Sequence, residues 1–518
     1  MRLSMLKSLP ATAALSAALL AATGAASAAA EYFIAPGGSN AGSGAIDAPW
    51  GTFDYAIGRL DPGDTLYVRG GEYSLGSMVR FRSSAAGSAA APVRVWAYAD
   101  EAPVLDFSSM SNGLWGSSSG RGIQIDQGAD WLHLRGLTIQ NARDNGLWSG
   151  ANRGVFERMV TRWNGDSGLQ LSGTASHNLI LNADSYENYD PSNNGENADG
   201  FAIKFEDLGP GNVVRGARAW GNSDDGWDMW ESTDGGVLVE DSWAFDNGRL
   251  IDRFYDVDAL EQNDLTPSSF NGDGNGFKLG QDGGPHVLNR VVVWDNQVRG
   301  IDVNGNGFGV AVNNATVFNS GRNWQFDEES FETLNQHELT NNVSLLGRNS
   351  DRFDSGVDDG FNTWNGIPAS AADFLSLDDA IARGPRNADG SLPSSDFLRL
   401  APGSNLIDAG KNVGLPFSGL APDLGAYESG LLGDYNSDGR LDAADYTLWR
   451  DGLGEGFLPG DYGVWASRFD PVGPPAATTP EPAGGVLAAL GVSLVVTRGA
   501  AAGRAGRRRG AHDHNARS

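Results

Sequence analysis

The sequence predicts an all-β chain whose body is a parallel β-helix, and a repeat, a glycine pattern and the composition lead to that prediction. An asparagine in an apolar or aromatic context returns about every two dozen residues, with two longer intervals. A glycine follows four or five residues later in the plain repeats. The 518 residues include 72 glycines and no cysteine, which suits short strands joined by tight turns without disulfides. The repeating asparagines are Asn141, Asn164, Asn188, Asn222, Asn247, Asn296 and Asn319.

A fixed period of this length is typical of a solenoid in which each coil adds one rung ~4.8 Å from the last. Asparagine side chains that stack along the axis can then form a hydrogen-bonded ladder. A leucine-rich solenoid is the competing interpretation, but its Leu-x-x-Leu-x-Leu pattern is missing. The regular period also argues against a β-sandwich.

Both ends of such a solenoid need a cap, because an open coil exposes strand edges and the apolar core. Residues 49–57 predict a short N-terminal capping helix. The segment 62–68 then predicts a turn followed by the first strand. Near the other end, 405–410 and 423–428 are the predicted closing segments.

Two repeats carry extra residues at the same corner, in 189–198 and 248–274. In both repeats the glycine arrives late, at Gly200 and Gly276. Since both insertions fall at one corner of the coil, we expect them to wall a cleft over that edge of the solenoid.

Positions that are equivalent relative to the glycine stack along the axis, because side chains in a strand alternate between its two faces. The residue before the glycine is Asp199 in one repeat and Asp225 in the next. Two residues after the glycine, Asp228 is followed one rung later by Lys278. The register therefore predicts that carboxylates and a lysine meet at one edge, from Asp199, Asp224, Asp225, Asp228 and Lys278.

Four carboxylates at one edge repel each other strongly unless a cation lies among them. Oxygen ligands without cysteine or histidine nearby favour a hard cation, Ca²⁺ above all. The alternative is that these residues are turn aspartates that cap strand ends. The sequence thus predicts a calcium site with a possible base beside it.

Three motifs in this order resemble the pectate lyases of polysaccharide lyase family nine: NADGFA at 197–202, NSDDGWD at 222–228 and GNGFKLG at 274–280. The resemblance extends over about residues 31–430. It implies a right-handed β-helix that cleaves polygalacturonate by β-elimination. It also implies Asp199, Asp224, Asp225 and Asp228 as Ca²⁺ ligands and Lys278 as the Brønsted base.

The net charge, 37 − 65 = −28, predicts repulsion from nucleic acid and from anionic membranes. An acidic polysaccharide such as polygalacturonate, the expected partner, therefore needs cations to mediate its contact with this chain. Lys204 and Arg299 are candidate contacts for substrate carboxylates, or else ordinary surface cations. We expect the protein to act as a monomer.

Two other functions stay open from the sequence. A lyase of another uronate polymer, such as alginate, could use the same β-helix, and only the family motifs separate it from a pectate lyase. A non-catalytic carbohydrate-binding solenoid is possible, but binding alone has no need of Lys278. A β-helical hydrolase fits less well, because it would use a carboxylate acid and base and no essential lysine.

Residues 431–472 predict a small α-helical segment that carries a second calcium loop. The loop 434–445 has oxygen ligands at positions 1, 3, 5, 9 and 12 and glycine at position 6, the spacing of an EF-hand loop. It resembles one half of a dockerin. The second half survives only at 461–465, without its ligands, so a calcium-stabilised spacer is a simpler expectation than cohesin binding. The predicted ligands are Asp434, Asn436, Asp438, Arg440 through its carbonyl, Asp442 and Asp445.

The two ends of the chain predict targeting signals. Residues 1–28 combine basic side chains, an apolar run and Ala-Ser-Ala, which is typical of a cleaved secretory signal. Residues 473–518 predict a linker followed by a Pro-Glu-Pro motif, an apolar run shorter than the ~20 residues of a membrane helix, and an arginine-rich tail. That arrangement resembles a PEP-CTERM sorting signal. We therefore expect a secreted or envelope-associated protein, envelope sorting machinery as a partner, and a lyase domain at 29–430.

Overall fold

A computed structural model describes residues 29–110, 115–232, 235–249, 270–327, 337–355 and 357–469. The predicted signals at 1–28 and 473–518 lie outside these described residues. No helix within the described ranges is long and apolar enough to cross a bilayer.

Three long parallel sheets run side by side, which confirms the predicted β-helix. The first sheet contains, within the described residues, β1 (Glu31–Ile34), β2 (Thr65–Val68), β5 (Val93–Ala97), β8 (Leu132–Arg135), β11 (Val155–Glu157), β14 (Leu179–Leu181), β17 (Asn212–Arg215), β20 (Val237–Glu240), β23 (Val287–Asn289), β26 (Ala311–Asn313), β29 (His337–Thr340) and β32 (Val357–Gly360).

The second sheet carries the glycine motifs. Its described strands are β4 (Val79–Phe81), β7 (Ile123–Ile125), β10 (Leu147–Ser149), β13 (Leu169–Leu171), β16 (Phe201–Ile203), β19 (Trp227–Asp228), β22 (Asn275–Lys278), β25 (Arg299–Asp302), β28 (Arg322–Phe326) and β31 (Arg352–Phe353).

The third sheet completes each coil. Its described strands are β3 (Gly71–Ser74), β6 (Pro103–Asp106), β9 (Thr138–Gln140), β12 (Val160–Arg162), β15 (Asp184–Tyr186), β18 (Arg218–Trp220), β21 (Trp243–Phe245), β24 (Val292–Trp294), β27 (Thr316–Phe318) and β30 (Val343–Leu345). Every strand pairs with its equivalent one coil away, so one period along the chain becomes one rung along the axis.

The N-terminal cap is present, with one correction to the sequence prediction. Helix α1 (Phe53–Ile57) buries Phe53 and Ile57 in the main core, as expected of a capping helix. The strand at 65–68 is the second strand, because β1 precedes α1 and pairs with β2 in parallel. The short run 31–34 has no flanking repeat of its own, which is why the periodic pattern did not reveal it.

An asparagine ladder runs along one corner, as predicted. Successive side-chain amides donate to the next Oδ1 at 2.9–3.0 Å through Asn164, Asn188, Asn222, Asn247 and Asn296. These side chains satisfy the hydrogen-bonding groups of a buried turn, where the backbone no longer forms the hydrogen bonds of a sheet.

The outer two asparagines of the sequence pattern, Asn141 and Asn319, are not in the ladder. Both adopt left-handed backbone conformations, with φ of 61° and 51°, and Ala142 follows Asn141 at the ladder position. The residue before each ladder position is left-handed throughout, and asparagine tolerates that conformation well. The same residue type therefore suits two adjacent sites of the turn, and this misplaced the prediction by one residue.

The core lies inside the coil, and the segment after β32 covers the third sheet from outside. Phe374, Phe397 and Leu400 pack on Trp243 and Trp294 of that sheet. The predicted closing segments contact the last coils, where the Gly425 and Ala426 amides donate to the Asn341 carbonyl and to Thr316 Oγ1.

The C-terminal part is helical, as predicted for a small α-helical segment. It contains α2 (Ala443–Asp451) and α3 (Asp461–Arg468). Tyr435 and Phe457 pack on Phe417, with ring centroids 5.5 and 5.7 Å from it. The boundary between a domain at 29–430 and a segment at 431–472 stays a prediction.

Candidate active site

The outer face of the second sheet carries the predicted column of polar side chains. Strand pairing places Gln170, Ala202, Asp228, Lys278 and Asp302 on successive rungs in this order. The intervening positions point inward, where the Phe201, Trp227 and Phe277 rings stack at 4.3 and 5.3 Å. A stacked aromatic core thus fixes the backbone from which the polar residues project.

Three buried carboxylates gather at the edge of this column. One oxygen each from Asp199, Asp224 and Asp225 lies within 4.8 Å of the others, and nowhere else in the described residues do three such groups meet. Backbone amides hold two of them: Asn197 N–H donates to Asp224 Oδ2 at 2.9 Å, and Asn275 N–H donates to Asp225 Oδ1 at 2.7 Å. We call these three residues the carboxylate group.

The carboxylate group fits a hard cation. Asp225 Oδ2 is buried and receives no hydrogen bond from any described residue, and the Lys278 amine lies 3.6 Å from it. Burial raises the pKa of Asp199 to about 6 and, together with mutual repulsion, raises the pKa values of Asp224 and Asp225 well above their usual range. A cation would remove that repulsion, and an all-oxygen donor set favours Ca²⁺ among common cations.

Lys204 and Asp228 form a pair beside the carboxylate group. Lys204 Nζ donates to Asp228 Oδ2 at 2.7 Å and to Asp199 Oδ2 at 3.0 Å, and the lysine is buried. Burial opposes ionisation of both groups, but the charges of Asp199 and Asp228 raise the pKa of Lys204, and the charge of Lys204 lowers that of Asp228. Asp228 thus lies outside the group of three, and Lys204, predicted to contact substrate, makes its contacts here with carboxylates of the protein.

Lys278 lies one rung beyond Asp228 with its amine at the surface of the cleft. Its Nζ is 3.6 Å from Asp225 Oδ2 and donates to Asp273 Oδ2 at 2.7 Å, and 15% of the side chain is exposed. Burial lowers the pKa of Lys278, but the surrounding carboxylates, chiefly Asp225 and Asp228, raise it above its ordinary value. The lysine is therefore reachable by a ligand and electrostatically coupled to the carboxylate group.

Asp273 is a site residue that the sequence prediction missed. Its backbone N–H donates to Asp224 Oδ1 at 2.6 Å while its side chain accepts from Lys278, so it joins the carboxylate group to the lysine. It ends the insertion 248–274, where the glycine register does not run. The Gly-Asp-Gly sequence at 272–274, which runs directly into the motif at 274–280, was the available signal.

A cleft opens above these residues. A cavity of about 340 Å³ is lined by Glu196, Asn197, Lys204, Phe205, Asp224, Asp228, Trp230, Lys278, Gln281 and Asn304. The described parts of the two insertions contact each other, because Tyr189 of the first packs with Phe270 of the second. Asn271 of the second insertion also donates to the carboxylate of Glu196, which lines the cavity. One rung beyond Lys278, Arg299 Nη1 lies 2.8 Å from Asp302 Oδ2.

The site and the coil together match a known family. A family model described as "Pel9A-like, right handed beta helix region" matches residues 32–342, which is more than half of the chain. The chain belongs to this family. Its β-helix is therefore right-handed, as the resemblance implied.

Individual proteins that are similar to this chain agree with this assignment. Pectate lyase L of Dickeya dadantii (strain 3937) is 36% identical over 408 residues, which cover 77% of this chain and 90% of that protein. The crystal structure of pectate lyase Pel9A is 35% identical with a TM-score of 0.69, over 78% of this chain and 97% of that one. A solved rhamnogalacturonan lyase is 25% identical with a TM-score of 0.59, over 72% of this chain and 96% of that one.

The predicted calcium loop lies beyond the residues that match the Pel9A-like family. In it, Asp434 accepts hydrogen bonds from the Asp438 and Gly439 amides, at 3.2 and 2.8 Å. Asp445, the twelfth position, accepts from the Tyr435 and Asn436 amides and caps α2 through Asp442 N–H. Backbone amides of the loop thus donate to its own carboxylates, and the Arg440 N–H adds a bond to Asp438 Oδ1 at 2.9 Å.

Proposed function

We propose that this chain is a calcium-dependent pectate lyase that cleaves polygalacturonate by β-elimination. The observation that carries the proposal is the position of Lys278, an accessible amine beside a buried carboxylate group within one cleft. The similar proteins that are named pectate lyase support the choice of substrate. The experiment is the absorbance of unsaturated products released from polygalacturonate, with Ca²⁺ and with chelator; no product under either condition would refute the proposal.

In this reaction Lys278 removes the C5 proton of a uronate unit, which lies α to the carboxylate. The electron pair of the C–H bond becomes the C4–C5 double bond as the C4–O bond to the neighbouring unit breaks. The departing oxygen keeps the electron pair of that bond and takes a proton from water. Ca²⁺ held by Asp199, Asp224 and Asp225 would withdraw charge from the substrate carboxylate and so favour loss of this proton. Asp273 holds the Lys278 amine in place until the substrate arrives.

Two further cations support the same assignment of roles. Lys204 balances Asp199 and Asp228, which limits the negative charge that an acidic substrate meets at the cleft floor. Arg299, fixed by Asp302 one rung beyond Lys278, stays our proposed contact for a neighbouring uronate carboxylate. Asp228 we keep as a candidate ligand, which requires that it give up its bond to Lys204.

The rate is expected to rise with pH, because only the neutral amine of Lys278 accepts a proton. Its pKa is raised by the carboxylates in the cation-free site, so at neutral pH the neutral fraction is small and grows tenfold per pH unit. A cation among the carboxylates opposes their effect and lowers this pKa toward the working pH. The profile of kcat/KM at saturating Ca²⁺ should therefore climb into the alkaline range, and a maximum near pH 5 would contradict Lys278 as the base.

The alternative substrates are other acidic polysaccharides. The solved rhamnogalacturonan lyase, 25% identical, favours that polymer as the second candidate. Parallel assays on polygalacturonate, rhamnogalacturonan and alginate, followed by the absorbance of unsaturated products, separate these functions. A carbohydrate-binding solenoid without activity would bind one of these polymers and release nothing from any of them.

For the loop 434–445 we propose a second Ca²⁺ that stabilises the helical segment. Its support is the EF-hand spacing, with four carboxylates and Asn436 in twelve residues. Calorimetry on the full chain is expected to give two calcium sites, and Asp434→Ala should leave one while lyase activity persists. If the unaltered protein instead binds one Ca²⁺, and this binding is lost in Asp225→Asn but kept in Asp434→Ala, the loop 434–445 is not a calcium site.

Secretion and sorting at the cell envelope also remain our proposal, because the two signals lie outside the described residues. Cleavage after Ala28 is expected in the exported protein, and its N-terminal sequence tests this.

A further inference from the structure

Arg121 occupies the same stacked position as Asp199 and Asp225, three rungs before Asp199. Strand pairing aligns Ile123, Leu147, Leu169 and Phe201, and the residue two positions earlier on each strand forms one line. That line consists of Arg121, Asn145, Ser167 and Asp199, with Asp225 on the next rung. At ~4.8 Å per rung, Arg121 lies roughly 14 Å along the axis from Asp199.

A second cavity opens at Arg121 and joins the first. Its volume is about 270 Å³, and it shares Asn197, Lys204 and Phe205 with the cavity over Lys278. The shared residues make the two cavities parts of one cleft along the second sheet. A 1,4-linked pyranose unit is about as long as one rung, so a chain of several units bound over Lys278 in this direction reaches Arg121.

The guanidinium of Arg121 is held in a fixed plane. It lies 4.3 Å over the Trp148 ring, and only 17% of its side chain is exposed. Its hydrogen bonds to Asp144 Oδ1 and Gln124 Oε1 are long, at 3.3 and 3.4 Å. A planar fork that is held in place by stacking and weakly bonded at its edge is suited to bind a carboxylate through two N–H groups.

The other groups of this cavity suit one carboxylate with hydroxyl groups around it. Asp144 and Asp166 accept hydrogen bonds, and sugar hydroxyls can donate to them. Burial and the charge of Asp144 raise the pKa of Asp166 to about 7. The cavity therefore accepts little more negative charge than the positive charges of Arg121 and Lys204 can balance. One carboxylate with neighbouring hydroxyls is the chemistry of a single uronate unit.

We propose that Arg121, stacked on Trp148, forms a distal subsite that binds the carboxylate of a uronate unit about three units from the carboxylate group. The subsite rests on the proposed function for its polymer, a polyuronate. It predicts that Arg121 contributes to binding of long substrates only, because short ones that lie over Lys278 do not reach it.

The test compares a hexamer with a trimer of galacturonate, in Ca²⁺, on the full chain. Binding is measured by calorimetry in a Lys278→Ala background, so that no ligand is consumed. Arg121→Gln is expected to weaken hexamer binding by roughly 10- to 100-fold, the range of a charge-assisted hydrogen-bonded pair, and to leave trimer binding unchanged. Arg121→Lys should recover part of the loss, since it keeps the charge without the fork. Arg215→Gln, at an exposed ion pair on the first sheet, is the matched control.

The two ligands distinguish a subsite from a structural role. An equal loss of hexamer and trimer binding, or no loss of either, would overturn the proposal, and unchanged thermal unfolding of Arg121→Gln would show that the fold is intact. In the active protein the same change should raise KM for the hexamer without lowering kcat. If the unaltered protein releases no unsaturated product from polygalacturonate, the proposed function fails; Arg121-dependent binding of the hexamer would still support the subsite.

Discussion

Replacement of Lys278 by alanine is expected to abolish release of unsaturated products from polygalacturonate while leaving the β-helix folded. Of the two lysines that line this cleft, Lys278 has the more exposed side chain, 15% against 9%, whereas the Lys204 amine is hydrogen-bonded to two aspartates. Loss of a positioned base costs roughly 10²- to 10⁴-fold in kcat. The initial rate at saturating Ca²⁺ measures this.

Lys411→Ala is the matched control, because this lysine is exposed and far along the chain from the cleft. It should retain full activity. Lys278→Arg should also be inactive, since a guanidinium stays protonated at any working pH. If Lys278→Ala kept more than about a tenth of the activity, well above the range for a lost base, another residue would have to remove the proton.

Asp225→Asn is expected to raise the stability of the calcium-free protein and to abolish the part of the stabilisation by calcium that the carboxylate group provides. The carboxyl of Asp225 has a folded pKa raised well above its usual value, chiefly by burial and by Asp224. A raised carboxyl pKa means that ionisation of this group destabilises the fold. The cost begins as pH rises above the pKa of the unfolded state and is complete above the pKa of the folded state. Asparagine keeps the Oδ1 that accepts from Asn275 N–H and removes the charge.

Thermal unfolding at pH 8, in chelator and in Ca²⁺, measures both effects. The carboxylate group of the unaltered protein should contribute roughly 2.7 kcal/mol of stabilisation when free Ca²⁺ is 100 times its dissociation constant, and Asp225→Asn should lose this contribution. Asp451→Asn, exposed at the end of α2, should behave as the unaltered protein does. If Asp225→Asn unfolded at a lower temperature in chelator and still responded fully to Ca²⁺, the carboxylate group would not be the cation site.

The register of the site could be predicted from the sequence because parallel strands of one period stack equivalent positions. The glycine pattern placed Asp228 next to Lys278 and Lys278 next to Asp302, and strand pairing agrees. Inside the second sheet, position along the chain and position in space are related by a simple translation. Asp199 and Asp225 follow from the same relation.

The prediction was incomplete where that translation stops. Lys204 lies one residue past the end of β16, so alternation of faces no longer sets its direction, and its side chain turns to Asp199 and Asp228. Asp273 belongs to an insertion with no counterpart in the other repeats. Asn141 and Asn319 were misplaced because asparagine suits both the left-handed turn residue and the ladder position after it.

The sequence by itself determined the β-helix, the rung on which each motif lies, and the pairing of carboxylates with a lysine, because all of these depend only on a repeated period and on side-chain alternation. Only the tertiary structure decided which carboxylates lie together, and that Lys204 bonds to two aspartates while Lys278 is the more exposed lysine. It also decided that Arg121 lines the same cleft. Those outcomes depend on how side chains beyond the strand ends and within the insertions pack against each other, and packing depends on neighbours that are distant in the chain.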